Sequence, residues 1–254
     1  MADAGEGRPV AVVTGASRGI GRAIALRLAS DGFDVLINHY RDGDAAASVK
    51  QEIDHTGQVN SVVEADVADS AAVHEMFRHC VSELGSPTAV ICNAGIERIT
   101  SFLDVSEDEL ARVIAVNFVG EFCVGQVAAK LMVEGGMEGR IVNISSVQAA
   151  MAARGRAHYG PTKAAVAQLT RVMALELAEY GITVNAVAPG LIETDMTREM
   201  LQDSNTRSSL LQRIPLHRAG TPDDVAGLVS FLVSPDATYM TGSLVVIDGG
   251  MSIC

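Results

Sequence analysis

The stretch from Val10 to Leu28 restricts the fold more than any other part of the chain. Val10-Ala11-Val12-Val13 is a short, wholly apolar, valine-rich run. It ends in Thr14-Gly15-Ala16-Ser17-Arg18-Gly19-Ile20-Gly21 and passes directly into Ala23, Ile24, Leu26 and Leu28 at helical spacing. The pattern predicts strand, glycine turn, helix. Glycines at such a turn let the backbone bend tightly and approach a pyrophosphate, which the free N–H groups and positive end of the helix attract. The spacing T-G-x-x-x-G-x-G departs from G-x-G-x-x-G, so the turn by itself is a weak signature.

The same alternation continues along the chain. Further strands are predicted at Asp34–Asn38, Ser61–Ala65, Ala89–Cys92, Arg140–Ile144, Ile182–Val187 and Leu244–Ile247. Helical patterns intervene at Ala45–His55, Ser70–Leu84, Leu110–Val124, Tyr159–Tyr180 and from Pro222 onward. Strands alternating with helices form a doubly wound α/β fold, here a parallel sheet of about seven strands with helices on both faces. The 254 residues fit one domain spanning 1–254. Residues 191–218 are polar, with a helix-like patch at Met196–Leu201, and form the natural lid over a substrate.

Composition removes several functional classes. A formal charge of −12 opposes binding to nucleic acid or to an anionic membrane surface, and small-molecule chemistry is expected instead. Cys80, Cys92, Cys123 and Cys254 form no C-x-x-C pair and no metal-ligand spacing, so free thiols and no metal site are expected. Met1–Arg8 lacks the apolar segment of a leader, and no uninterrupted apolar run reaches membrane-spanning length. A cytoplasmic protein with no membrane partner is the expectation.

Several positions stand where parallel sheets bind ligands, at the carboxyl ends of strands. After the second strand, Asn38-His39-Tyr40-Arg41 presents an arginine where an acidic residue would hold the ribose of NAD. With Arg18 in the turn this favours NADP(H), although Asp42 and Asp44 follow closely and leave NAD(H) open. Asp66-Val67 ends the third strand, where Asp66 either faces an adenine or caps the next helix. Asn93-Ala94-Gly95 ends the fourth and offers a second close approach of backbone to ligand. Asn117 is an amide inside an apolar helical pattern, which demands a hydrogen-bond partner such as a neighbouring helix carbonyl. Tyr159 and Lys163, four residues apart at a helix start, share one helix face. A neighbouring ammonium stabilises a phenolate, so Lys163 is expected to lower the pKa of Tyr159 and fit it to move a proton. The alanines at 164, 165 and 167 predict a closely packed partner helix.

Thr14 to Gly21, Asn93-Ala94-Gly95, Asn117, Ser146, Tyr159-x-x-x-Lys163 and Pro189-Gly190 occur in the order and at the separations of the short-chain dehydrogenase/reductase family, which the whole chain resembles. The resemblance implies a Rossmann-type fold and NAD(P)-dependent interconversion of a ketone and a secondary alcohol. It implies Tyr159 as acid/base and Lys163 as the residue that lowers its pKa and binds the nicotinamide ribose. Ser146 would bond the substrate oxygen, its separation from Tyr159 favouring it over Ser145. Asn117 would break its helix and hold a proton-relaying water. Cofactor contacts are implied at Gly15, Ser17, Arg18, Gly19, Ile20, Gly21, Asp66, Val67, Asn93, Ala94, Gly95, Pro189, Gly190, Ile192 and Thr194. A homotetramer built on the Tyr159 helix is also implied.

Within the family, Asn185-Ala186-Val187-Ala188-Pro189-Gly190-Leu191-Ile192-Glu193-Thr194-Asp195-Met196-Thr197 is similar to 3-oxoacyl-[acyl-carrier-protein] reductases. A 3-oxoacyl thioester on acyl carrier protein or CoA is therefore the first substrate expectation. Acyl carrier protein is acidic, and the family's docking arginines are replaced here by Glu134-Gly135-Gly136-Met137-Glu138 and by Glu179-Tyr180. Charge thus opposes carrier docking unless Arg154 and Arg156 compensate. The alternatives are a sugar or polyol dehydrogenase of the glucose dehydrogenase type and, from another class, a dinucleotide-sensing regulator without turnover.

Overall fold

The computed structural model describes residues 7–254; most of the Met1–Arg8 leader reading lies outside the described residues. A seven-stranded, wholly parallel sheet has the order β3-β2-β1-β4-β5-β6-β7. Its strands are β1 (Val10–Val13), β2 (Asp34–His39), β3 (Asn60–Glu64), β4 (Ala89–Cys92), β5 (Gly139–Ile144), β6 (Ile182–Pro189) and β7 (Leu244–Ile247). Each was foreseen, with ends moving by one or two residues. The chain first winds outward through β1, β2 and β3, then returns to lay β4 beside β1, so Val12 pairs with both Leu36 and Val90. That reversal opens a crevice at the carboxyl ends of β1 and β4.

The pleat sorts the strand residues between two cores. Ala11, Val13, Val35, Ile37 and Val142 face helices α1 (Gly19–Ser30), α2 (Gly43–Asp54) and α9 (Pro222–Val233). Val10, Val12, Leu36, Val90 and Ile141 face the opposite layer. That layer holds α3 (Ser70–Glu83), α4 (Glu107–Ile114), α5 (Glu121–Glu134) and α6 (Gly160–Leu177). By length and composition, Glu107–Glu134 is apolar enough to cross a membrane, but Val113, Val116, Val124 and Met132 are buried inside the fold. α5 packs closely against α6 at Met173, where a Cβ at Gly125 would come within 2.8 Å of Met173 Cε; this contact is not on the alanine positions 164, 165 and 167 where a partner helix is expected.

Two local features differ from expectation. The run predicted as one helix through Val124 contains a π-helical segment, Ala115–Gly120, between α4 and α5. One wide turn shifts the faces of the helix beyond it, and Gly120 fits tightly there, since a Cβ would come within 2.8 Å of Val67 Cγ2. Residues 191–218 carry two helices, α7 (Asp195–Gln202) and α8 (Ser204–Gln212), where the sequence indicated one patch. Asp203 starts α8 by accepting from Thr206 N at 2.8 Å. Its polar composition and weak apolar face concealed the second helix.

Candidate active site

The glycine turn is held open by neutral hydrogen bonds from three strands. Thr14 Oγ1 accepts from Asn93 N and Ala94 N at 2.9 and 3.0 Å, while Asn93 Nδ2 donates to Thr14 O and Gly15 O at 2.8 and 3.1 Å. Asn38 Oδ1 accepts from Gly15 N at 3.2 Å, and its amide donates to Ala65 O at 3.1 Å. Gly15 and Gly19 adopt positive φ angles of 62° and 55°. A Cβ on Gly21 would collide with Gly15 O and sit 2.5 Å from Asn93 Nδ2. The backbone therefore reaches the start of α1 uncovered, and a dinucleotide pyrophosphate fits there. Ile20 packs beneath against the first core. Thr194 closes the far side, 3.4 Å from a Cβ built on Gly19. Gly190 N donates to Ile247 O at 2.9 Å, anchoring Pro189-Gly190, and Ile192 bridges to Gly220.

At the end of β2 the residues divide. Asn38 and His39 are buried, the first tying the turn and the second accepting from Asp42 N at 3.3 Å through Nδ1. They shape the crevice wall. Tyr40 is exposed, and the guanidinium of Arg41 lies 4.9 Å from its ring centroid, with Arg112 at 5.8 Å on the same ring. Asp42 reaches inward, accepting from Ser17 Oγ at 2.7 Å and pairing with Arg18 Nε at 3.2 Å. The sequence showed Asp42 to be near, but not that it engages both donors of the turn. Asp66 does not cap α3: Asp69 does, accepting from Ala71 N and Ala72 N. The Asp66 carboxylate instead accepts from Ala68 N and pairs with Arg112 at 2.9 Å, beside Val67.

Across the crevice, α6 carries the second constellation. Tyr159 stands at its N-cap and Lys163 one turn on, buried. Lys163 Nζ donates to Ile144 O at 2.6 Å. Ser145 Oγ donates to Lys163 O at 2.8 Å and so is committed to the helix backbone. Ser146, whose Oγ accepts from Gln148 N at 3.2 Å, lies against the Tyr159 phenol. Asn117, in the π-helical turn, binds the backbone of Ile96 twice: Oδ1 accepts from Ile96 N at 2.8 Å and Nδ2 donates to Ile96 O at 2.9 Å. Its partner is thus the loop after β4, not a helix carbonyl. Gly95 brings that loop close to Lys163: a Cβ there would be 3.7 Å from Nζ.

One electrostatic expectation is reversed. The Tyr159 phenol is pushed well above its ordinary value, chiefly by burial and then by Glu97, with Ser146 and Arg156 opposing. Lys163 does not offset this burial, and Glu121 stands 3.8 Å from its Nζ. Burial raises the Glu121 carboxyl to about 8, with Lys163 opposing. Glu97 is half-buried, pairing with Arg156 at 2.6 Å, and burial raises its carboxyl too. Of the two arginines expected to offer a compensating charge, Arg156 is paired with Glu97 and Arg154 is exposed. Glu121 escaped the sequence reading, although a carboxylate one turn after Asn117 in an apolar run was its signal. Among the described residues, no cluster of His, Cys, Asp or Glu forms a metal site, and the cysteines are free.

Known proteins resemble the chain over nearly its whole length. A family model described as Enoyl-(Acyl carrier protein) reductase matches residues 15–252. The 3-oxoacyl-[acyl-carrier-protein] reductase FabG of Staphylococcus epidermidis is 42% identical over 242 residues, covering 95% of this chain and 98% of that protein. L-rhamnose 1-dehydrogenase (NAD(P)(+)) of a Sphingomonas strain is 40% identical over 248 residues, covering 98% and 97%. The crystal structure of a putative gluconate dehydrogenase from Agrobacterium tumefaciens superposes with a TM-score of 0.93 at 34% identity, covering 98% of this chain and 97% of that one.

Proposed function

Because the chain belongs to the short-chain dehydrogenase/reductase family and is an oxidoreductase that binds a nicotinamide dinucleotide, we propose that it reduces a 3-oxoacyl thioester with NADPH. The reading is carried by one observation: Ser146, Tyr159 and Lys163 converge beside the crevice whose other wall is the glycine turn. The 42% identity to a 3-oxoacyl-[acyl-carrier-protein] reductase supports the substrate class.

A nicotinamide dinucleotide held in this crevice would supply the hydride that reduces the carbonyl carbon. Tyr159 transfers its phenolic proton to the carbonyl oxygen as negative charge develops there, leaving a secondary alcohol. The Ser146 hydroxyl donates a hydrogen bond to the same oxygen and orients it. Lys163, fixed by Ile144 O, holds the nicotinamide ribose and supports the ionised phenol. Asn117 fastens the Ile96 loop so that Gly95 lies close to Lys163.

For NADPH over NADH, Ser17, Arg18 and Arg41 form the receptor of the 2′-phosphate. Asp42 engages Ser17 and Arg18, so a 2′-phosphate would have to displace its carboxylate, which in its present place would suit the ribose hydroxyls of NADH. Arg41→Ala is expected to weaken NADPH by roughly 10–100-fold, the value of a charge-assisted hydrogen bond or two, and NADH little. Equal losses in fluorescence titrations would reject the assignment.

The chain acts as a single domain with 191–218 as its lid. Its α4–α6 face exposes Val119, Phe122, Val172 and Leu175, an apolar surface that supports assembly with further copies of this chain, a homotetramer being the proposed state. Sedimentation returning a monomer would overturn this. The net charge of −12 and the pairing of Arg156 with Glu97 weigh against docking of an acidic carrier protein. The sugar dehydrogenase reading rests on the 40% identity to a rhamnose dehydrogenase. Turnover with NADPH and NADH against acetoacetyl thioesters, simple ketones and sugars separates the readings. Fastest NADPH oxidation with the thioester is expected, and turnover with sugars alone would replace the proposal.

A further inference from the structure

Glu121 is the group in the pocket that the proposed chemistry leaves unused. It begins α5 directly after the π-helical turn, one helical turn beyond Asn117, and both side chains are buried toward α6. Its side chain is 2% exposed, and neither carboxylate oxygen has a hydrogen-bond partner. The nearest cation is Lys163, whose Nζ lies 3.8 Å away, too far for a hydrogen bond, while that ammonium donates to Ile144 O. A carboxyl in this setting adds nothing to packing that an apolar chain of the same length would not add. What it alone contributes is charge, directed at the residue that supports the Tyr159 phenol.

We propose that Glu121 is a positioning residue that acts through Lys163, its carboxylate offsetting the ammonium charge and thereby setting the pH range over which Tyr159 exchanges its proton. The inference rests on the roles proposed above for Tyr159 and Lys163. The charged and titratable groups around it fit this arrangement. From α6 come Lys163 and, at its N-cap, Tyr159; from β4 comes the Cys92 thiol, pushed up by burial and then by Glu121. Glu97 and Arg156, paired with each other, bear on the phenol from the substrate side with opposite sign. Glu121 also raises the phenol directly. When the carboxyl is neutral, Lys163 acts unopposed and the phenol ionises more readily. When it is ionised, the pair presents little net charge and the phenol keeps its proton.

The test is the pH profile of alcohol oxidation, the direction in which the phenol must first lose its proton. Glu121→Gln keeps the shape and removes the charge. The rising limb is expected to move toward acid by about one pH unit, near the lower end of a neighbouring charge's effect, giving roughly tenfold faster oxidation at the foot of the limb. If Glu121→Gln does not fold, Glu121→Met, uncharged and of similar reach, carries the same expectation. A profile superimposable on the wild type, or one displaced toward alkali, would overturn the proposal. Tyr159→Phe, assayed alongside, separates this inference from its premise: a variant that keeps turning over rejects the role of Tyr159, whereas loss of turnover with an unmoved Glu121→Gln profile rejects only the role of Glu121.

Discussion

The two walls of the crevice are built by different physics. On the glycine-turn side, Thr14, Asn38 and Asn93 satisfy one another and the backbone through neutral hydrogen bonds from three strands. On the α6 side, Lys163, Glu121, Glu97, Arg156 and Tyr159 bring charges and a titratable phenol into a buried space, and two carboxyls are held above their ordinary range. A wall of satisfied neutral bonds holds one geometry at every pH, as a site for a ligand of fixed shape requires. A wall of buried charges changes state with each proton, as a site that moves a proton requires.

If this contrast is real, the walls must fail differently. The largest effect is expected on the charged side: Arg156→Ala leaves Glu97 buried without its partner and should cost about 3 kcal/mol of stability, the usual loss on breaking a buried pair. Thermal denaturation measures it, and a loss within experimental error would mean that the pair is solvated. On the neutral side, Gly21→Ala drives a Cβ into Gly15 O and should cost about 1–3 kcal/mol, with dinucleotide affinity falling while the pH profile keeps its shape. A displaced pH profile would blur the distinction between the walls. The smallest effect concerns pH alone. Glu121 binds a proton in the fold up to about 8 but releases it near its ordinary value of 4.5 when unfolded. Its contribution to stability is therefore fully present below that ordinary value and is lost as pH rises through this window. Glu121→Gln should remove the slope, gaining on the wild type in denaturant titrations from about pH 5 toward pH 8. Parallel curves would show that Glu121 is ionised throughout.

The sequence disclosed the neutral wall far better than the charged one. Strand, glycine turn and helix at Val10–Leu28 follow from local pattern, and the seven strands follow from apolar runs. Tyr159 and Lys163 are visible as spacing, Ser146 follows from the family resemblance and its separation from Tyr159, and the bond of Ser145 to Lys163 O sets Ser145 apart a second time. The sign of the shift on Tyr159 was not legible, because it depends on Glu97 and Glu121, which reach the phenol from different elements. Asp42 lay beside Arg41 in the sequence, yet its grip on Ser17 and Arg18 follows from how the β2 loop folds over the turn. The second lid helix was missed because its residues are polar and its start depends on one side-chain cap at Asp203.

The central claim, that Tyr159 delivers a proton beside a dinucleotide held by the opposite wall, is tested most directly by Tyr159→Phe with NADPH affinity and thioester reduction measured on the same preparation. Unchanged affinity with turnover lowered by about three orders of magnitude is the predicted result. Wild-type turnover in a variant that binds NADPH normally would contradict it.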